Sequence, residues 1–395
     1  NRIRKEYGFP TDVTLWDSKN TTSRNIKISE VLEDKSGYIA IQSTDLSVLK
    51  KSGRGNIKFD GLKQRLLDYK GKSKETQTDI LIGLAGETSK SHMKTLYDSF
   101  DLGFDMIQPY NIRLLPGTDY ESEEQRRLYK IKTKFRLIFG SYGIYNNKLV
   151  FEIEESVRST KDMSENELES FKILHWLIYF CWNIGIFKPL LKYANIELNI
   201  NPMDVLLHVL ETKKNKLREL FSSMKNESTS EWFGTKKDLI AYYEDARNRN
   251  KLKEFKKLNA WWIAKLYSDN DLLNILYDDI VLCIENHSVK KYSNDVVWDE
   301  LKNINSKLLS FGDLSKSEQS PIISVHGKTI YYLNGDSRYV DKLNMKIYIN
   351  RDNESAQWWD YYLDGESYSD VPINQFLSAL EKGGSSRLLN SVVVQ

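Results

Sequence analysis

The stretch "TDILIGLAGETSKSH", Thr78 to His92, does most to limit what this chain can fold into. An apolar run meets two glycines, Gly83 and Gly86, and a helical pattern begins directly after Glu87 and Thr88. A buried strand that turns straight into a helix belongs to a βαβ unit, whose next strand runs parallel to the first. The pattern recurs on both sides. "TDVTLWDSK" (Thr11 to Lys19), "GYIAIQS" (Gly37 to Ser43) and "DMIQPYNIRLLPG" (Asp105 to Gly117) read as strands. Between them, Thr22 to Lys35, Phe59 to Lys72 and Ser91 to Gly103 carry helical spacing, the last two ending at Gly71 and Gly103. The expected fold class is α/β: a partial (β/α) barrel of parallel strands over residues 1–140.

The texture then changes. "KLVFEIEESV" alternates at a strand's period, with Phe151 and Ile153 on one face and Glu152 and Glu154 on the other, which is either a solvated face or a carboxylate pair that could share a cation or divide acid/base roles. A mainly helical region is expected to 310, and a small α+β tail over 311–395. The tail's strand candidates are "PIISVHGKTIYYL", "KLNMKIYIN" and "QWWDYYLDG". "ILHWLIYFCWNIGIF", Ile173 to Phe187, is shorter than the roughly 20 residues a membrane-spanning helix needs. It lies downstream of a capping box made by Ser164 and Glu167 and reads as a buried core helix. Net charge is +2, which gives no pull toward nucleic acid. Two cysteines, Cys181 and Cys283, form no disulfide framework and suit a reducing cytoplasm.

In parallel α/β folds, ligands sit beyond the carboxyl ends of the strands. That edge supplies the candidates. Gln42 and Ser43 can hydrogen-bond a sugar or carboxylate, or simply act as a cap. Arg54 comes after a glycine and is either an anion contact or a solvated charge. Gly83 and Gly86 permit close backbone approach to a planar ligand, or merely a tight turn; Glu87 and Thr88 cap the next helix. Gln108 and Tyr110 end the fourth strand. The histidines, His92, His175, His208, His287 and His326, show no paired metal spacing, and His175 should find a hydrogen-bond partner inside its helix packing.

The ordered series "IAIQSTDLSVLKKSGRGNI", "DILIGLAGETSKSH" and "MIQPYNIRLLPGT" resembles the radical S-adenosylmethionine superfamily, in particular the barrel of enzymes with an N-terminal cobalamin-binding domain. The likeness continues through "KTKFRLIFGSYGIY" and "FCWNIGIFKPLL" and is absent from the tail. It implies S-adenosylmethionine as cofactor. Gly83, Gly86 and Glu87 would lie on the adenine side, Gln42 and Ser43 near the ribose and methionyl part, and Arg54 near the carboxylate. Gln108 and Tyr110 would face the cavity. Ala85 stands where proline is usual.

The three closely spaced cysteines that hold a four-iron, four-sulfur (4Fe-4S) cluster in such enzymes are missing. The chain opens on "NRIRKEYGFP", without Met. The expectation is therefore the C-terminal portion of a longer enzyme, inactive as it stands, whose parent would carry the cluster and generate a 5′-deoxyadenosyl radical for hydrogen abstraction or, with a cobalamin, for methyl transfer. The parent would use a flavodoxin or ferredoxin as electron donor and take a small-molecule biosynthetic intermediate as substrate. A degenerate, non-catalytic binding or scaffold protein is the alternative.

Overall fold

The computed structural model describes residues 2–9, 13, 15, 23–32, 36–53, 59–70, 75–254, 256–287, 295–363, 375–380 and 388–395. The chain divides into two compact units, residues 1–134 with 154–175, and residues 135–153 with 176–395.

The first unit holds helices α1 (Arg2–Tyr7), α2 (Ser23–Val31), α3 (Leu46–Lys51), α4 (Phe59–Lys70), α5 (Ser89–Asp101) and α6 (Glu123–Tyr129). Strands β1 (Ser36–Tyr38), β2 (Glu75–Ile82) and β3 (Met106–Asn111) form a parallel sheet in that order. Tyr38 pairs with Gln77, Asp79 with Gln108 and Leu81 with Tyr110. Burial along β2 alternates strictly: Thr76, Thr78, Ile80 and Ile82 are buried, whereas Gln77, Asp79 and Leu81 are half-buried. Helices α4 and α5 cover the buried face. Ile39, Ile41, Ile80, Ile82 and Ile107 share this core with Leu62, Leu66 and Tyr69 of α4 and with Leu96 and Phe100 of α5. Each such side chain contributes roughly 1.5–3 kcal/mol through burial.

The described sheet is an open one of three strands, so the partial barrel is not established. The expected first strand, Thr11 to Lys19, falls outside the described residues except at Val13 and Leu15, which carry no regular structure. Helix α5 begins and ends where its sequence dictates. Thr88 caps it, with Ser91 closing a reciprocal capping box, and Gly103 lies just past its end at φ +80°.

A long hairpin comes next, β4 (Lys132–Tyr145) and β5 (Lys148–Ser159), turning on Asn146 and Asn147, both at positive φ. Residue 140 thus lies within one continuous strand. Glu154 departs from the solvated face expected of it: it is 6% exposed and paired with Arg113 at 2.6 Å. Its neighbour Glu155 takes Arg126 at 2.7 Å. Both faces of β5 are covered at this end, so strand alternation no longer separates wet from dry. Helix α7 (Glu165–Leu177) starts at the Ser164–Glu167 capping box, as its sequence implies.

The second unit is mainly helical. It continues from α7 through a π-helical turn at Ile178–Asn183 into α8 (Lys188–Leu198), α9 (Pro202–Leu210), α10 (Asn215–Ser230) and α11 (Lys236–Glu244). Then come α12 (Lys251–Glu254), α13 (Leu258–Tyr267), α14 (Asn270–His287) and α15 (Val296–Leu309). Ile178, Phe180, Cys181 and Trp182 are all buried, the expected core helix.

The tail is α+β. Strands β6 (Glu318–Gln319) and β7 (Ile323–Val325) line one edge of β8 (Met345–Arg351), and β9 (Ser391–Val394) pairs with β8 as well, all antiparallel. Two segments read as strands are helices: "GKTIYYLN" is α16 (Gly327–Asn334) and "NESAQWWDYYL" is α17 (Asn353–Leu363). Their aromatic residues favour strands locally, but Ser355, Ala356, Trp359 and Tyr362 recur at helical spacing and all four are buried.

Candidate functional site

The sheet of the first unit has one face sealed by helices and one that is polar. Tyr38, Gln77, Asp79, Gln108 and Tyr110 share the second face, because in-register partners of parallel strands project to the same side. The Tyr38 hydroxyl donates to Asp79 Oδ2, and the Tyr110 hydroxyl donates to Gln108 Oε1. Asp79 Oδ1 is buried with no hydrogen-bond partner among the described residues. Burial pushes the Asp79 carboxyl above its ordinary range, opposed by the neighbouring Tyr38 and Gln77 side chains. The Tyr38 phenol is pushed far up by burial, then by the adjoining Asp79 carboxylate.

At the carboxyl end of β1 the ladder slips. The Ile41 N–H goes to the Thr78 hydroxyl (3.2 Å) instead of a carbonyl. Pairing resumes at Gln42, whose N–H donates to Asp79 O and whose carbonyl accepts from Leu81 N, both at 2.9 Å. Gln42 holds φ +65°, a costly conformation for a residue with a Cβ. Its side-chain oxygen Oε1 is a second buried acceptor without a partner among the described residues. Ser43 is fully buried and engaged locally, with Thr95 (3.3 Å) and Asp45 N (3.2 Å), which matches a cap better than a ligand contact. Arg54 lies outside the described residues.

The turn after β2 is closed from within. Glu87 Oε2 accepts from Gly83 N (2.8 Å) and Leu84 N (3.2 Å), while the Tyr120 hydroxyl donates to Gly83 O (3.1 Å). Both polar groups of Gly83 are therefore engaged. A Cβ at Gly83 would meet Val157 Cγ1 at 3.2 Å, and its φ of +95° already demands glycine. Gly86, at φ +78°, lies under the Lys51 side chain, which a Cβ would strike at 2.4 Å. Glu87 does not cap α5, as Thr88 does; it is fully buried and its other oxygen takes His92 Nδ1 at 2.9 Å. His92 Nε2 in turn meets His175 Nε2 at 2.9 Å.

The structure thus brings Gln42, Gly83, Gly86, Gln108 and Tyr110 onto one sheet and its carboxyl edge, and sets Ser43 and Glu87 behind it. Sequence reasoning missed Tyr38, Asp79 and Lys51. An aspartate inside "TQTDILI" was the available sign, since a strand covered on both faces would read as apolar throughout. The His92–His175 contact joins residues 83 apart, and no local spacing encodes it.

Elsewhere the chemistry is thin. A groove on α10, lined by Asn215, Arg218, Glu219 and Ser222 among others, draws on that helix alone. Among the described residues no group of three or more His, Cys, Asp or Glu side chains assembles as a metal would need. No single described helix is long and apolar enough to cross a membrane. The bent pair Glu165–Asn183 and Lys188–Leu198 reaches that hydropathy only jointly, across an 88° break.

No family model matches the chain. Over 135 residues it is 27% identical to the cobalamin-dependent radical SAM methyltransferase TokK of Streptomyces tokunonensis, covering 33% of this chain and 20% of that protein. Over 170 residues it is 25% identical to the 2-(S-pantetheinyl)-carbapenam-3-carboxylate methyltransferase of Streptantibioticus cattleyicolor, covering 42% of this chain and 25% of that protein. Both relatives are methyltransferases, and the first belongs to the class that the motifs resemble. The chain spans only a fifth to a quarter of their length, so these likenesses suggest a related function without fixing one.

Proposed function

We propose that this chain forms the S-adenosylmethionine-handling part of an enzyme related to cobalamin-dependent radical methyltransferases, acting on a small-molecule biosynthetic intermediate. One observation carries the reading. A parallel sheet ending beside a glycine turn holds two buried acceptor oxygens, on Gln42 and Asp79, that no described residue satisfies. Buried acceptors left without donors are costly, by about 1–3 kcal/mol each, unless a ligand supplies the hydrogens.

S-adenosylmethionine fits that demand. Its ribose hydroxyls and α-ammonium are donors, and the ammonium also complements a carboxylate. Gln42 and Asp79 would hold these groups, with Tyr38 fixing the Asp79 carboxylate through its second oxygen. The Lys51 ammonium beside Gly86 suits the methionyl carboxylate. When bound, the cofactor supplies an activated methyl group and, on one-electron reduction, a 5′-deoxyadenosyl radical. This chain's own work is to orient the bound molecule and to keep water from it.

A 4Fe-4S cluster does not fit the cysteines present. Cys181 and Cys283 are buried, and burial pushes both thiols up, Cys283 to about 11, whereas cluster ligands are thiolates gathered in one place. A cobalamin, and an electron donor such as flavodoxin or ferredoxin, belong to the proposed reaction of the whole enzyme.

The test is equilibrium dialysis of the purified chain against S-adenosylmethionine. Saturable binding is expected, weakened at least about tenfold by Gln42→Leu or Asp79→Asn, a loss near 1.4 kcal/mol. No saturable binding to the folded chain, or binding indifferent to both substitutions, would refute the reading.

A further inference from the structure

We propose that His92 and His175 are positioning residues: with Glu87 they form a proton-ordered relay that locks the glycine turn from behind. The hydrogen-bond chemistry leaves little freedom. Glu87 Oε2 accepts two backbone N–H groups, so that oxygen carries no proton. An ionised Glu87 can only accept at Oε1 as well, so the His92 Nδ1, 2.9 Å away, must donate. A neutral His92 then offers a bare Nε2, and the His175 Nε2 at 2.9 Å must be the donor to it. Three side chains from the turn, α5 and α7 therefore share one direction of hydrogen bonding. The direction is set by the amides of Gly83 and Leu84.

The surroundings enforce this arrangement. His92 and Glu87 are fully buried. Phe171 sits edge-on to His92, with ring centroids 4.7 Å apart, and stacks on His175 at 5.7 Å. Burial, with the charge of Lys172, holds His175 well below the ordinary histidine pKa of 6.5, which keeps it a neutral donor. A relay left intact holds Glu87 against the turn; a relay without its last donor leaves a buried acceptor on His92 and frees the carboxylate to swing.

The inference about ordering stands without any ligand; its consequence for affinity rests on the S-adenosylmethionine reading above. Nitrogen-15 NMR of the five histidines, labelled selectively in the whole chain, reads the ordering directly. At neutral pH, His92 is expected as the Nδ1–H tautomer and His175 as the Nε2–H tautomer. Glu87→Gln is the decisive variant. The amide oxygen must face the two backbone N–H groups, so the amide nitrogen donates to His92 Nδ1. His92 must then carry its proton on Nε2, and His175 must move its own to Nδ1. A concerted double reversal is expected; a purely space-filling role for the three side chains predicts none.

Reversal of neither ring, or of His92 alone, overturns the proposal. For affinity, His175→Phe should weaken S-adenosylmethionine binding about tenfold, and His175→Gln, which restores a donor, should recover most of it. Equal affinity in the wild type and His175→Phe counts against a positioning role. If the wild type binds no S-adenosylmethionine, the cofactor reading fails and the tautomer reversal alone decides the relay.

Discussion

Gly83→Ala separates two reasons for a glycine at the end of β2. If the residue is bare so that a ligand can approach, the methyl group should spoil binding and leave stability alone. The packing points the other way. At φ +95° an alanine adopts a conformation that L-residues avoid, at a cost of roughly 1–3 kcal/mol. The methyl would also sit 3.2 Å from Val157 Cγ1, 3.4 Å from Val157 Cβ and 3.7 Å from Leu168 Cδ1. Val157 is 0% exposed, in a cluster with Leu84, Ala85, Ile112 and Leu114, so it has little room to retreat. Overpacking of that kind adds about 1 kcal/mol or more. The expected loss is therefore about 2–4 kcal/mol, local to the first unit. Hydrogen exchange of peptides covering residues 75–101 measures it, as a fall in protection of about 30-fold to a thousandfold. Val157→Ala in the same chain should rescue the steric part and none of the backbone part. Unchanged protection in Gly83→Ala, together with lost S-adenosylmethionine binding, would sink this account and restore the ligand-approach explanation.

Asp79→Asn should stabilise the fold at neutral pH while it weakens binding. The folded-state pKa of Asp79 is raised above 3.8, so its charge opposes folding as pH climbs through that raised value; melting temperatures of variant and wild type should converge near pH 4 and diverge above it, and a less stable variant at pH 7 refutes the argument. In the second unit, Arg351 is 2% exposed and donates to the carbonyls of Phe311, Asp313 and Lys316 and to Asn390 Oδ1. Arg351→Met strands these acceptors and should cost about 3 kcal/mol or more in urea unfolding, with Arg351→Lys recovering less than half because an ammonium cannot span the same fork; an unchanged midpoint would contradict the clamp.

Local chemistry made the sheet's helices and turn readable. Thr88, Ser91 and Gly103 mark the start and end of α5, and Ser164 with Glu167 marks α7; each acts through its own neighbours in sequence. The readings that failed depended on distant partners. Helix α17 hides behind aromatic residues whose helical form is fixed by burial, with Trp359 stacked on Tyr267 and edge-on to Phe376. Glu154 looks solvated until Arg113, on a separate segment, is folded against it. The candidate site divides in the same way. Its strand-end positions were legible as an edge, but the slip in the β1 ladder just before Gln42 involves Thr78 on the next strand.

Buried polar groups in this molecule differ in whether their hydrogen bonds are met among the described residues. Arg351 is a buried charge, yet its N–H groups reach carbonyl and amide oxygens and it knits three segments of the tail. Glu87 is buried too, and both its oxygens are engaged. Oxygens on Asp162 and Asn305 without partners among the described residues each stand alone. Those on Gln42 and Asp79 do not: a backbone hydrogen bond of 2.9 Å joins the two residues across adjacent strands. The left-handed Gln42 and the Gly83 turn lie at the same strand end, so one strained backbone and two acceptors unmet among the described residues coincide there. Folding alone would select against each of these features, since a hydrophobic residue at 79 and a regular ladder at 42 would both cost less. Their coincidence at the carboxyl edge of a parallel sheet is what the proposed donor-bearing ligand would account for.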